Sequence, residues 1–199
     1  MHNQIKTKAT NPISTLKSSN ISPFIHVYFE LNHLKQLYRQ GWLLRGIPTE
    51  HCESVAEHTF GVAVLAMILA DSFFPELDTV TVVRMALIHD FGEVYVGDII
   101  PGNNISPAEK HKLEQESIIK IFKNLPNGNE YITLWEEFEC CSSPEAQFVR
   151  QIDKLEMALQ ASVYEHQKYE NLAEFFKSAG SDISSPELHS ILKELENLR

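Results

Sequence analysis

Basic residues are scarce in this 199-residue chain: 17 lysines and arginines stand against 27 aspartates and glutamates, a formal charge of -10. Such a surface has no stripe able to neutralise a nucleic-acid backbone, which argues against long DNA or RNA as a partner. It leaves a small anionic phosphate ester open, because a bound cation and a few placed basic groups reverse the field locally. Cysteine is sparse too. Cys52, Cys140 and Cys141 form neither a CxxC pair nor an even disulfide set, so they read as free thiols in a reducing compartment, and a cytoplasmic protein is expected. Long apolar runs are missing: the longest, around residues 62–69, is soon broken by Asp71 and Ser72, and no membrane segment is expected. Alternating strand patterns, hairpin dipeptides, repeats and low-complexity tracts are likewise absent from the sequence. The polar first residues lack the apolar core of a secretory signal, so residues 1–22 are read as a flexible tail and residues 23–199 as one domain.

What remains is helical periodicity, and the expected fold is all-α. Tyr28, Leu31, Leu34, Leu37 and Tyr38 recur at three- and four-residue steps, predicting one amphipathic helix from residue 24 onward. A loop follows through Gly46, Pro48 and Cys52. Ser54 with Glu57 three residues later reads as a capping box opening a helix to about Phe74, with His58, Val62, Leu65 and Leu69 on one face. Asp78 can cap a third helix carrying Val82, Met85, Ala86 and His89. Gly92 and Gly97 loosen the backbone, and residues 101–104 read as a loop. Ser106-Pro107 starts a helix to roughly Asn124, a shorter helix carries Tyr131, Leu134, Trp135 and Phe138, and Ser143-Pro144 starts a long one to about His166 with Asp153 in its middle. A last amphipathic helix begins at Pro186.

Ionisable residues therefore sit on inward stripes of separate helices, where an isolated charge is costly to desolvate. One divalent metal cation shared by His58, His89, Asp90 and Asp153 would resolve that cost. Two imidazoles and two carboxylates leave positions for water and substrate and do not choose among manganese, cobalt, magnesium, iron and zinc. Glu93, four residues after His89, stays on the same side if the helix continues, and Asp98 is a second acid near the same place. Two carboxylates beside a metal and a water are the minimum acid/base set for phosphoester hydrolysis. Each residue alone has a plainer role: a hydrogen-bonded core histidine, a chance dipeptide, a paired buried acid, a solvated carboxylate. Their joint placement tips the balance.

The order His58, then His89-Asp90, then Asp153-Lys154 resembles the HD superfamily of metal-dependent phosphohydrolases. The strings VAEHTFGVAVLAMILAD (55–71), ALIHDFGEVYVGDIIP (86–101), LWEEFE (134–139) and EAQFVRQIDKLEMALQASVYE (145–165) narrow the likeness to the HD-domain 5'-deoxynucleotidase family, over about residues 26–198. That resemblance implies a compact single-domain HD-type helical fold, commonly a homodimer, hydrolysing deoxyribonucleoside 5'-monophosphates to deoxynucleoside and phosphate. It implies His58, His89, Asp90 and Asp153 as metal ligands, Glu93 as catalytic acid/base and Asp98 as an acid orienting the substrate near the sugar. Trp42 matches an aromatic whose apolar wall could disfavour a 2'-hydroxyl; a core or interface role is the alternative. Bacterial members carry arginine directly before that tryptophan where this chain has Gly41, and the interval to His58 is slightly longer. Phosphate recognition then falls to Arg39, Arg45 or another group, with Lys112, Arg150 and Lys154 as further cations. Rival readings are another HD phosphohydrolase activity on a nucleoside triphosphate, cyclic nucleotide or alarmone, a catalytically silent interaction module, and a di-iron oxygenase, for which His111 and His166 lack suitable spacing.

Overall fold

Side-chain caps start the main helices where the sequence places them. The computed structural model describes residues 5–16, 21–100 and 105–199. After a 3-10 turn at Pro12–Thr15 come α1 (Pro23–Leu34), α2 (Gln40–Leu44), α3 (Val55–Phe73), α4 (Thr79–Ile88) and the one-turn α5 (Glu93–Val96). Then follow α6 (Pro107–Phe122), α7 (Gly128–Glu139), α8 (Pro144–His166), α9 (Ala173–Asp182) and α10 (Pro186–Glu196). The Ser54–Glu57 capping box is complete, and Asp78, Ser106, Ser143 and Ser185 each accept a backbone N–H of the turn they open. Among the described residues there is no strand, only two isolated bridges, Thr7 with Leu37 and Tyr38 with Ser54.

The core is one continuous cluster running from Leu34 to Leu195. At its centre α3 packs on α4 and α8, joining Val62, Ala66 and Ala70 to Met85 and Ala86 and to Val149, Ile152 and Leu155, all of them fully buried. Helix α3 has a mean hydropathy of 1.4, a composition also met in bilayer-spanning helices. Here it serves the interior, with one face against α4 and α8.

Three expectations change. The first helix stops at Leu34 rather than passing Tyr38, because Leu37 and Tyr38 are drawn into the extended bridges, where the Leu37 carbonyl accepts from Val55 N at 2.9 Å. Leu37 keeps its burial by this other route, while Tyr28, placed on the same stripe, is exposed. The expected loop before Ser54 contains α2, and α9 was not anticipated. The loop expected at residues 101–104 lies outside the described residues. Ahead of α1, Lys6 N donates to Gln40 Oε1 at 2.9 Å and Lys8 Nζ pairs with Glu57 at 3.0 Å, which lays residues 6–8 against α2 and α3.

Candidate metal centre and cleft

His58 lies in the first turn of α3, His89 caps the C-terminal end of α4 with Asp90 next in the turn, and Asp153 stands in α8 beside buried Ile152. Packing of the three helices gathers His58, His89 and Asp90, and Asp153 joins them through His58. The His58 and His89 rings are 5.5 Å apart between centroids. Ligand atoms of His58, His89 and Asp90 all fall within 4.8 Å of one another. Asp90 Oδ2 is 3.3 Å from His89 Nε2 and 3.7 Å from His58 Nε2, and Asp153 Oδ1 is 3.1 Å from His58 Nε2.

Each imidazole is held by its far nitrogen. His58 Nδ1 donates to Glu156 Oε2 at 2.6 Å and His89 Nδ1 to the Ala86 carbonyl at 2.7 Å, which turns both Nε2 atoms towards the carboxylates. Both Nε2 atoms are buried and lack an aligned hydrogen-bond partner. The 3.1 Å approach of Asp153 to His58 Nε2 is an ion-pair distance whose direction misses the ring N–H line. Orphaned imidazole nitrogens facing two carboxylates suit a divalent cation, so the residues present fit the group.

Electrostatics point the same way. Burial and Arg39 oppose a charge on His58, yet Asp153 and Glu156 outweigh them and push its pKa up to about 10. Burial would also raise Asp153 and Asp90, but Lys154 and His58 hold Asp153 far below the usual carboxylate range, and His89 and Arg39 do so for Asp90. The cage favours positive charge so strongly that a proton on His58 stands in for it. Glu93 behaves oppositely. Burial first, then the charges of Asp90 and Asp98, push it well above its ordinary value, and its Oε2 is buried without a partner. Its surroundings favour the protonated acid over the carboxylate.

Beside the cage is a cleft of about 370 Å³ lined by Arg39, Trp42, Arg45, Asp98, Lys154 and Phe175 among others. Gly97 ends α5 with a φ of 83°, a left-handed turn that a side chain would strain, and so directs the chain to Asp98. Asp98 Oδ2 accepts from Gln40 N at 2.6 Å, and Oδ1 is 3.9 Å from Arg39 Nη1. Arg39 Nη1 is also 3.4 Å from Asp90 Oδ2, so this guanidinium bridges cage and cleft. Trp42 is buried, with its ring 4.1 Å from that of Phe175 and Nε1 donating to Glu53 Oε1 at 2.7 Å. It is thus both a core residue and a cleft wall. Arg45 sits on the rim, ion-paired with Glu174 of α9. Lys154 Nζ is 3.0 Å from Asp153 Oδ2. Lys112 is exposed on α6, and Arg150 donates to the Phe138 and Glu139 carbonyls at the end of α7, so neither lines the cleft.

Sequence reasoning missed Glu156, Glu53 and Phe175. Glu156 had a usable signal, since it follows Asp153 by three residues and shares its helix face. Phe175 had none, because it arrives on α9.

A model of the HD domain matches residues 31–196, a span holding all four cage residues, and the chain belongs to the HD-domain family. More particularly, it is 41% identical over 173 residues to the 5'-deoxynucleotidase HDDC2 of Mus musculus, covering 85% of this chain and 84% of that protein. It is 38% identical over 159 residues to the 5'-deoxynucleotidase hdd1 of Schizosaccharomyces pombe, covering 77% and 76%. Among solved structures, a crystal structure of a Pyrococcus horikoshii protein matches with a TM-score of 0.72 at 33% identity, covering 88% of this chain and 99% of that one.

Proposed function

We infer that this chain is a metal-dependent phosphohydrolase that converts deoxyribonucleoside 5'-monophosphates to deoxynucleoside and phosphate. The observation that carries this reading is a two-histidine, two-aspartate cage beside buried Glu93 and adjoining a cleft lined by Asp98, in a chain 41% identical to a 5'-deoxynucleotidase across most of both lengths.

His58, His89, Asp90 and Asp153 would hold one divalent cation. Once bound, it supplies Lewis acidity to the phosphoryl group and makes a water more acidic. Glu93 holds a proton beside the cage and delivers it to the departing 5'-oxygen as water adds to phosphorus from the opposite side; the added water releases one proton to solvent, leaving hydrogen phosphate, and Glu93 takes one back from solvent. Arg39 places a fixed positive charge where cage meets cleft, facing the substrate phosphate. Asp98, immobilised by the Gln40 backbone, keeps Oδ1 for a sugar hydroxyl. Because Trp42 Nε1 is already committed to Glu53, the ring offers no polar partner to a 2'-hydroxyl, which would be stripped of water on entry.

The test is release of phosphate from deoxy and ribo 5'-monophosphates by the metal-supplemented chain, with a nucleoside triphosphate, a cyclic nucleotide and a guanosine alarmone alongside. Faster release from the deoxy monophosphates, abolished by a chelator, is expected; turnover confined to any of the other three contradicts it. Two copies are also inferred to associate, since Phe60, Met67 and Ile68 leave apolar surface on the outer side of α3. Light scattering at twice the 22.7 kDa chain mass supports this, and a monomer removes it.

A further inference from the structure

Glu156 stands outside the proposed ligand set yet touches it. Its Oε2 accepts from His58 Nδ1 at 2.6 Å, a distance typical of charge-assisted bonds. Glu156 lies one turn beyond Asp153 on α8, so a single helix carries one ligand and the support of another. Behind it is Glu53, with donor atoms of Glu53, His58 and Glu156 all within 4.8 Å of one another. Glu53 is fixed in turn: its carboxylate accepts from Trp42 Nε1 at 2.7 Å, and its backbone N donates to Tyr164 Oη at 3.0 Å. The opposite side is bounded by Gly61 of α3, where an added Cβ would fall 2.5 Å from Glu156 Oε1 and 3.2 Å from its Cδ. Glycine in the middle of a 19-residue helix sacrifices helix stability, and here it leaves the space that the carboxylate occupies.

We propose that Glu156 is a positioning residue for His58: by accepting the Nδ1 proton it fixes the ring plane and tautomer that present a bare Nε2 to the cation, with Glu53 and Gly61 setting where the carboxylate sits. The proposal rests on the cation reading of the cage. A carboxylate that merely satisfied a buried histidine would affect folding and leave metal affinity alone.

The experiment is Mn²⁺ binding to the full chain by titration calorimetry, for wild type, Glu156→Ala, Glu156→Gln and Gly61→Ala, with thermal unfolding of each in the metal-free form. Glu156→Ala should weaken Mn²⁺ binding by roughly 10- to 100-fold, the usual effect of removing a group that orients a ligand. Glu156→Gln, which still accepts the hydrogen bond, should weaken it less. Gly61→Ala should weaken it by displacing the carboxylate, with a smaller fall in the metal-free unfolding temperature than Glu156→Ala, since the helix preference of alanine offsets part of the lost buried contact. In the Zn²⁺-loaded protein, proton–nitrogen correlation spectra should show His58 protonated only at Nδ1, and a mixture of tautomers in Glu156→Ala. Should Glu156→Ala not fold, Gly61→Ala decides alone. Wild-type Mn²⁺ affinity in the folded variants overturns the positioning role and leaves the cage intact. No Mn²⁺ uptake by wild type overturns the cage itself and the positioning role with it.

Discussion

His58, His89 and Asp153 are fixed in or at the end of helices of 19, 10 and 23 residues, whereas Arg39, Trp42 and Asp98 belong to a helix of 5 residues, its N-cap and a loop. The cage is held by the central packing of α3, α4 and α8, and shifting any of its donors requires moving the core. The cleft is assembled from pieces distant in sequence and joined by side chains, such as Trp42 against Phe175 and Arg39 between Asp90 and Asp98. On the proposed function, chemistry falls to the helix-held region and substrate choice to the loop-built one.

The sharpest way to break this division is within the cage. His89→Ala should lose metal and reduce phosphate release to background, while Glu93→Gln should keep its metal, measured by elemental analysis, and lose about 100-fold or more in turnover. Metal loss in the Glu93 variant would move that residue into the ligand set. The next largest contrast lies in the cleft. Arg39→Ala should raise KM at least about tenfold, because it removes a buried charge that bridges both regions. Arg45→Ala, which breaks only a rim pair with Glu174, should change KM by no more than a few-fold. Equal effects would place phosphate binding at the rim.

A pH series sharpens the comparison further. With the metal-free His58 pKa at about 10, Mn²⁺ must displace a proton below that pH, so apparent affinity should rise by up to about tenfold per pH unit until then. That same raised pKa stabilises the metal-free fold fully below the ordinary value of 6.5, and this contribution is lost as pH rises through 10. Metal-free melting temperature should therefore fall across that window, and the metal-loaded protein should fall less. Smallest of all, Phe175→Ala should loosen Trp42 and narrow the deoxy-over-ribo preference by a few-fold with metal content unchanged.

The same division governs how much could be read from sequence. The cage was legible because caps and periodicity are local: Ser54-Glu57 sets where α3 starts and hence which way His58 faces, and Ser143-Pro144 does the same for Asp153. The whole of α8 was anticipated, ending at His166 as expected. The cleft was not. Leu37 and Tyr38 continue a helical spacing but are paired by backbone with Thr7 and Ser54 respectively, contacts no spacing encodes. Arg39 and Arg45 looked alike in sequence, and only the fold sends one towards Asp90 and the other to Glu174. Glu53 is an ordinary acid in an acidic chain until the fold brings it to His58, whereas Glu156 is marked by its three-residue spacing from Asp153.

X-ray absorption at the cobalt edge of the Co²⁺-loaded chain is the most direct measurement, because it reads the donors around the cation itself. Two imidazoles with the remainder oxygen is the predicted result, with that cobalt signal lost in His89→Ala. A spectrum without imidazole scattering, or one unchanged by that substitution, would mean that cobalt is held elsewhere and that the cage is not a metal site.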